Sequence, residues 1–329
     1  MDLPPEEMRF MGFVSIFKES FKIIGKYRKV LSLITVTLIF PLALIFLVQI
    51  QVADHLRYAI YRHEERLEHK KHNSRLSDLI TSERIGYVVL KVLYYAILLV
   101  LANLAMSAVV YLVASIYTVK PISFKKVMGI VPKVWKRLSV TLCWVFLISF
   151  IYACFTLGFS IIIYGVVGWQ SEAFGLTVFI ISFIAHFVGF AYLCIIWYLA
   201  SVITVLEDLK GISAMVKAKD LIQGKKKVVV PIFLLLAAVY YGVLLVYEIF
   251  VVFEWNSFFL FGLGTVCVVL LTFLFLLGLV VQSVTYFVCK TYHCEHIDKP
   301  ALAEHLEAFA PNYEQMKEGK DVQMNQVYV

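Results

Sequence analysis

The chain has 329 residues, 61% of them hydrophobic and only 16% charged, with a formal net charge of +7. A soluble globular domain carries about 25% charged residues, so this composition excludes one. The basic excess sits in loops beside long apolar runs, which points to a membrane surface and not to nucleic acid.

The opening MDLPPEE is acidic and contains proline, the opposite of a signal peptide's basic start, so the first span is expected to be retained as its own insertion signal. Phe13, Ile16, Phe17, Phe21 and Ile24 then recur at helical spacing, with Lys18, Lys22, Lys26 and Lys29 on the other face. Uncharged runs follow at Val30–Val52, Val92–Val119, Leu138–Ser171, Ala173–Leu206 and Trp255–Cys289, and Val228–Phe253 is broken only by Glu248. About 20 apolar residues cross a bilayer as a helix, and a soluble core has no use for so many such runs. The expected fold is therefore all-α: a polytopic membrane protein with six transmembrane helices, cytosolic interfacial amphipathic helices and three helix-hairpin units. Its expected parts are a cytosolic N-terminal segment over 1–29, a six-span domain over 30–289 and a cytosolic tail over 290–329. The spans are placed near 30–52, 87–118, 139–168, 175–206, 228–253 and 257–289.

Between the first two spans, the 53–85 segment is dense in both charges and holds His63, His69 and His72. His69 and His72 share a helix face at that spacing, as weak metal ligands would. A solvated helical extension of the two spans is the simpler expectation, since no cysteine joins them. Before the third span, Phe124, Val127, Met128, Val131, Val134, Trp135 and Leu138 form a second apolar stripe, which Pro132 is expected to divide. Before the fifth, Ile212, Met215 and Ile222 form a third, closed by Gly224 as a helix C-cap.

Orientation follows from Lys and Arg. One side collects 22 of the 30 basic residues, whereas the seven in the 53–85 loop are matched by six acids. By the positive-inside rule both termini are expected in the cytosol. Lys125, Lys126, Lys133, Lys136, Arg137, Lys225, Lys226 and Lys227 are then candidate contacts for anionic lipid head groups, each contributing ~1 kcal/mol near the surface.

Ionisable or strongly polar groups inside spans are costly and mark candidate sites. Lys91, Asn103, His186 and Glu248 qualify. Lys91 and Glu248 lie at similar depth near the outer ends of the second and fifth spans, where each snorkels alone or the two pair. For His186 the plain expectation is a hydrogen bond to a neighbouring helix; a proton- or substrate-linked site would draw on Asn103, Ser107 and Gln282. Cys289, His293, Cys294 and His296 match no standard zinc spacing. Cys289 and Cys294, juxtamembrane and beside basic residues, are candidate S-acylation sites. No metal or cofactor is expected. Ala301–Phe309 reads as a short amphipathic helix suited to the basic collar or to a protein partner of the tail.

The block from Val205 through Leu206, Glu207, Asp208 and Gly211 to Ala214 and Met215, followed by Leu221, Ile222, Gly224 and Lys225, resembles a motif of an uncharacterised plant family of multi-span membrane proteins. The tail from Tyr286 to Lys299, with Leu302, His305 and Leu306, resembles that family's C-terminal signature. The block is more distantly similar to the membrane domain attached to some glycerophosphodiester phosphodiesterases, whose catalytic partner has no counterpart in this sequence. The resemblance covers the whole chain and implies fold, plant origin and a membrane location, with no reaction. On physical grounds Glu207 and Asp208 are expected to favour the start of the third amphipathic helix.

No nucleophile, metal or phosphate motif occurs. The expected function is a non-enzymatic scaffold, lipid-organising or adaptor protein of the endoplasmic reticulum, endomembrane system or plasma membrane, with the lipid bilayer and anionic head groups as partners. The alternative is a transporter or channel for a small or lipidic solute.

Overall fold

The computed structural model describes residues 8–69, 74–118, 124–167, 172–249 and 257–294, without the side chains of 54, 63–69, 74–81, 124–126, 130–133, 164, 167, 172–173 and 257–261. All regular elements among them are helices: α1 (Phe13–Lys26), α2 (Arg28–Ile34), α3 (Phe40–His69), α4 (Ser74–Tyr117), α5 (Phe124–Val167), α6 (Glu172–Leu206), α7 (Ile212–Ile222), α8 (Lys226–Tyr247) and α9 (Ser257–Tyr292). Six stretches are long and apolar enough to cross a membrane: Arg28–Arg62, Ser82–Tyr117, Val134–Ile163, Phe174–Leu206, Lys226–Tyr247 and Gly262–Tyr292. This is a helical multi-pass membrane protein.

Local chemistry explains the departures from the expected pattern. Pro41 has no N–H and its ring crowds the carbonyl four residues back. The chain answers with a π turn over Thr35–Ile39, in which the Phe40 N–H reaches the Thr35 carbonyl. Pro132 does not divide its helix, because α5 runs unbroken from Phe124 to Val167. Val127, Val134 and Leu138, all buried, hold both sides of the proline in line on one face, and their packing outweighs one lost hydrogen bond. The second amphipathic stretch is thus the start of α5, whereas α1 and α7 are separate helices. α3 continues to His69 and α4 begins at Ser74, as a helical extension of the first two spans requires. The side chains of His63 and His69, the whole of His72, and the tail helix expected at Ala301–Phe309 lie outside the described residues.

In α1 the buried face is Ile16, Glu19, Ser20 and Ile23, and Phe21 is 49% exposed. Five residues past Ile16, Phe21 stands ~140° round the helix. The apolar stripe read from the sequence was rotated from the face that packs.

Contacts divide the chain into two compact units. One comprises 1–26, 107–235 and 279–329. Its centre is the end of α4 from Ser107 to Tyr117 and the end of α9 from Val280 to Cys289, both almost wholly buried and rich in Val, Ala, Ser and Thr. Small side chains let such backbones approach closely, which is how helices associate where lipid removes the hydrophobic drive. The Tyr117 and Phe287 rings stack at 4.1 Å between them. In this unit α5 packs along α6, and α6 against α7. The other unit comprises 27–106 and 236–278. Its core is Ala43 and Leu47 of α3, Tyr247 of α8, and Cys267 and Leu271 of α9, ringed by Phe46, Tyr240 and Phe275. The Tyr247 hydroxyl donates to the Leu47 carbonyl at 3.2 Å.

Candidate functional site

The densest polar structure in the first unit gathers where α6 ends. α6 stops at Leu206, and Glu207 follows just past its C-terminus, where the helix dipole disfavours a carboxylate. Three donors compensate. Tyr286 Oη donates to Glu207 Oε1 at 2.6 Å, Lys290 Nζ to the same oxygen at 2.7 Å, and Lys217 Nζ to Oε2 at 2.8 Å. Burial pushes the Glu207 carboxyl up, but the hydrogen bonds of Lys217, Lys290 and Tyr286 outweigh it and hold the group below the ordinary carboxylate value. Arg137 of α5 closes the other side, with Nη2 on the Glu207 carbonyl at 2.8 Å and Nη1 on Asp208 Oδ1 at 2.9 Å. Glu207 and Asp208 together thus tie α5, α6, α7 and α9: the Glu207 carboxylate holds α7 and α9, and its carbonyl and the Asp208 carboxylate hold α5.

Beneath this hub, the Gly211 N–H donates to Thr141 Oγ1 at 2.8 Å, and the Thr141 and Thr204 hydroxyls lie 3.0 Å apart. Gly211, the N-cap of α7, holds φ 64° and ψ −133°, with the Trp144 ring against its Cα. Glu207 and Asp208 therefore do not start α7. No acid occupies its first turn, and the two carboxylates turn instead toward α5 and the cations. Gly224 does sit past the end of α7, at φ 90°.

The expected collar residues separate into groups. Arg137 is committed to the hub, and Lys225 to the Met11 carbonyl at 3.3 Å and the Tyr292 ring at 5.1 Å. Burial draws the Lys225 ammonium below its ordinary value. Lys136, Lys226 and Lys227 are exposed. The side chains of Lys125, Lys126 and Lys133 lie outside the described residues.

Within the spans, His186 Nδ1 meets Thr156 Oγ1 across the α5–α6 hairpin, Ser160 meets Ser182, and the Tyr152 ring stacks on His186 at 5.4 Å. Gln282 bonds the Tyr198 carbonyl and, at 2.8 Å, Ser201 Oγ. It engages α6 more than ten residues from His186, so the two polar groups do not share a site. Asn103 is buried. Lys91 lies 4.7 Å from the Tyr87 ring and Glu248 is exposed; among the described residues no ion pair joins them. Cys289 is buried and Cys294 is exposed.

The sequence profile of a family described as a domain of unknown function, DUF8558, matches residues 1–327. The chain belongs to that family. No curated protein and no solved structure matches it. The match takes in every helix of the hub, from Arg137 to Lys290. Span topology apart, nothing in the sequence alone marks this hub, in which Arg137 is an internal partner and not a surface charge and Glu207 closes α6 and does not open α7. The available signal was topological, since Glu207 and Lys290 lie at the edges of two spans that end on the same side of a six-span chain.

Proposed function

We propose that this protein is a non-enzymatic membrane scaffold that gathers anionic lipid head groups at one basic face. The face is cytosolic and carries both termini, in an endomembrane or plasma membrane of a plant cell. The observation that carries this reading is the division of labour among its cations. Arg137, Lys225 and Lys290 are spent internally, and Lys217 shares its Glu207 partner with Lys290. Lys18, Lys136, Lys219, Lys226 and Lys227 remain exposed in the same unit. A rigid internal frame under an exposed lysine layer suits attraction to a negative surface, at ~1 kcal/mol per residue. Exposure makes Cys294, rather than Cys289, the S-acyl acceptor of this face.

Two measurements test the reading. In sealed microsomes a tag after Val329 should be cleaved by added protease, while one within 63–75 should be protected. In nanodiscs, replacing Lys136, Lys219, Lys226 and Lys227 by Gln should reduce enrichment of anionic lipid around the protein, and salt should do the same to the parent, because screening sets in beyond about 8 Å at physiological ionic strength. Equal enrichment of neutral and anionic lipid in the parent would remove the proposal.

A further inference from the structure

A cleft of about 810 Å³ runs along the outer face of α7 and is closed at one end by His293, just past α9. Ser213, Lys217 and Asp220 line it in turn, with Ile212 and Val216 at its edge. These five positions share one face at helical spacing. The opposite face, Ala214, Met215, Ala218, Leu221 and Ile222, is buried in the unit, so the cleft has a fixed floor.

The two ends of the cleft differ in chemistry. Lys217 and Ser213 are donors. Lys217 shares Glu207 with Lys290, so two ammoniums stand at one carboxylate beside the cleft. Asp220, one turn further on, makes no ion pair among the described residues. His293 Nε2 lies 2.8 Å from the Gln223 carbonyl and 3.2 Å from that of Leu221. Two carbonyl acceptors require the proton on Nε2, which leaves Nδ1 as the acceptor of the neutral ring. A donor pole and an acceptor pole thus stand one helical turn apart, roughly 5 Å.

We propose that this cleft binds the head of an aminophospholipid, a phosphodiester joined through a two-carbon bridge to a primary ammonium. The phosphodiester lies against Lys217 and Ser213, and the ammonium against Asp220 and His293. The depth supports a lipid as the source. Ile212 and Val216 are about half exposed at the cleft edge, and Trp144, whose ring abuts Gly211 at the start of α7, is of the residue type that concentrates at the membrane–water interface. The inference rests on the lipid-gathering function proposed above and adds the head-group class.

The test uses the full-length protein in detergent and four short-chain lipids with serine, ethanolamine, glycerol or choline heads, titrated by intrinsic fluorescence. Serine and ethanolamine lipids are expected to bind about tenfold more tightly than the glycerol lipid, the worth of one charge-assisted hydrogen bond. Choline, with no N–H, makes no hydrogen bond to Asp220 and is expected to bind more weakly than either amine lipid. Asp220→Asn, an exposed change, should erase the tenfold preference. Equal binding of serine and glycerol lipids, both above choline, would overturn the cleft assignment while leaving the lipid-gathering face standing. Binding of neither above choline would remove both. Glycerophosphoserine binding as tightly as the serine lipid would show a site for soluble phosphodiesters and overturn the lipid assignment.

Discussion

Lys290 Nζ lies 2.7 Å from Glu207 Oε1, although 83 residues separate the two in the chain. The ammonium stands in the last turn of α9, where the dipole favours it, and the carboxylate just past the end of α6, where the dipole opposes it. Two helices ending on the same side thereby offset each other's terminal charge. Lys217 adds a second cation and draws α7 onto the same carboxylate.

Glu207→Gln is expected to be the most damaging single change in the hub. It leaves two ammoniums facing a neutral amide at a site where the carboxylate is 13% exposed, at a cost of about 2–4 kcal/mol. Lys290→Ala should cost less, because Lys217 still neutralises Glu207 and Tyr286 still donates a hydrogen bond to it. Because the native Glu207 carboxyl lies below its ordinary 4.5, its contribution is complete above that pH and is lost as pH falls through the native value. Melting in detergent should be flat with respect to this group from pH 7 to 5 and fall at lower pH. In Glu207→Gln that acid-side loss should shrink; an unchanged acid limb and parental melting would refute the assignment.

Gly211→Ala is expected to destabilise through the backbone. At φ 64° and ψ −133° only glycine is comfortable, and an added Cβ would stand 2.8 Å from Trp144 Cδ1. The strain costs about 1–3 kcal/mol. Gly25→Ala serves as the contrast, since its Cβ would meet nothing within 4 Å inside α1; it should be neutral or stabilising. Equal melting of the two variants would show that the α6–α7 connection tolerates another path.

The spans were legible because lipid demands a continuous apolar run, and that signal survives any tertiary arrangement. Six helical stretches long and apolar enough to cross a membrane are present, and the first continues past Val52 to Arg62, with charged residues extending the helix. The hub was not legible, because a lysine that binds lipid and a lysine that binds Glu207 look alike in sequence. The same ambiguity misplaced Phe21: in α1 both apolar and polar residues can face inward, and only the packed partner decides. Pro132 misled for a related reason, since local propensity says nothing of the Val127, Val134 and Leu138 contacts that carry α5 across it.

Lys91 and Glu248 are expected to act independently. The Lys91 ammonium already has the Tyr87 ring at 4.7 Å, and Glu248 is exposed. Lys91→Ala and Glu248→Ala should each change stability by less than about 1 kcal/mol, and the exchange Lys91→Glu with Glu248→Lys should restore nothing. A double-mutant cycle giving a coupling of several-fold more would establish a pair.

His186 decides between the scaffold and the transporter. Its imidazole meets the Thr156 hydroxyl across the α5–α6 hairpin, and Tyr152 Oη donates to the His186 carbonyl at 3.2 Å. Gly189 makes room for that tyrosine, since a Cβ there would overlap its hydroxyl. These contacts join two helices whose other faces carry exposed Phe155, Phe159, Phe183 and Phe187, so the polar ladder is the specific element of an otherwise apolar seam. Interhelical hydrogen bonds in lipid contribute about 0.6 kcal/mol on average. His186→Ala should therefore lower the melting temperature slightly, Thr156→Val by a similar amount, and the double variant by little more than either alone, because both remove one bond. In proteoliposomes His186→Ala should leave proton and solute permeability at the parental level. A parental flux that His186→Ala abolishes and Thr156→Val preserves would make the imidazole a transport group and displace the scaffold reading.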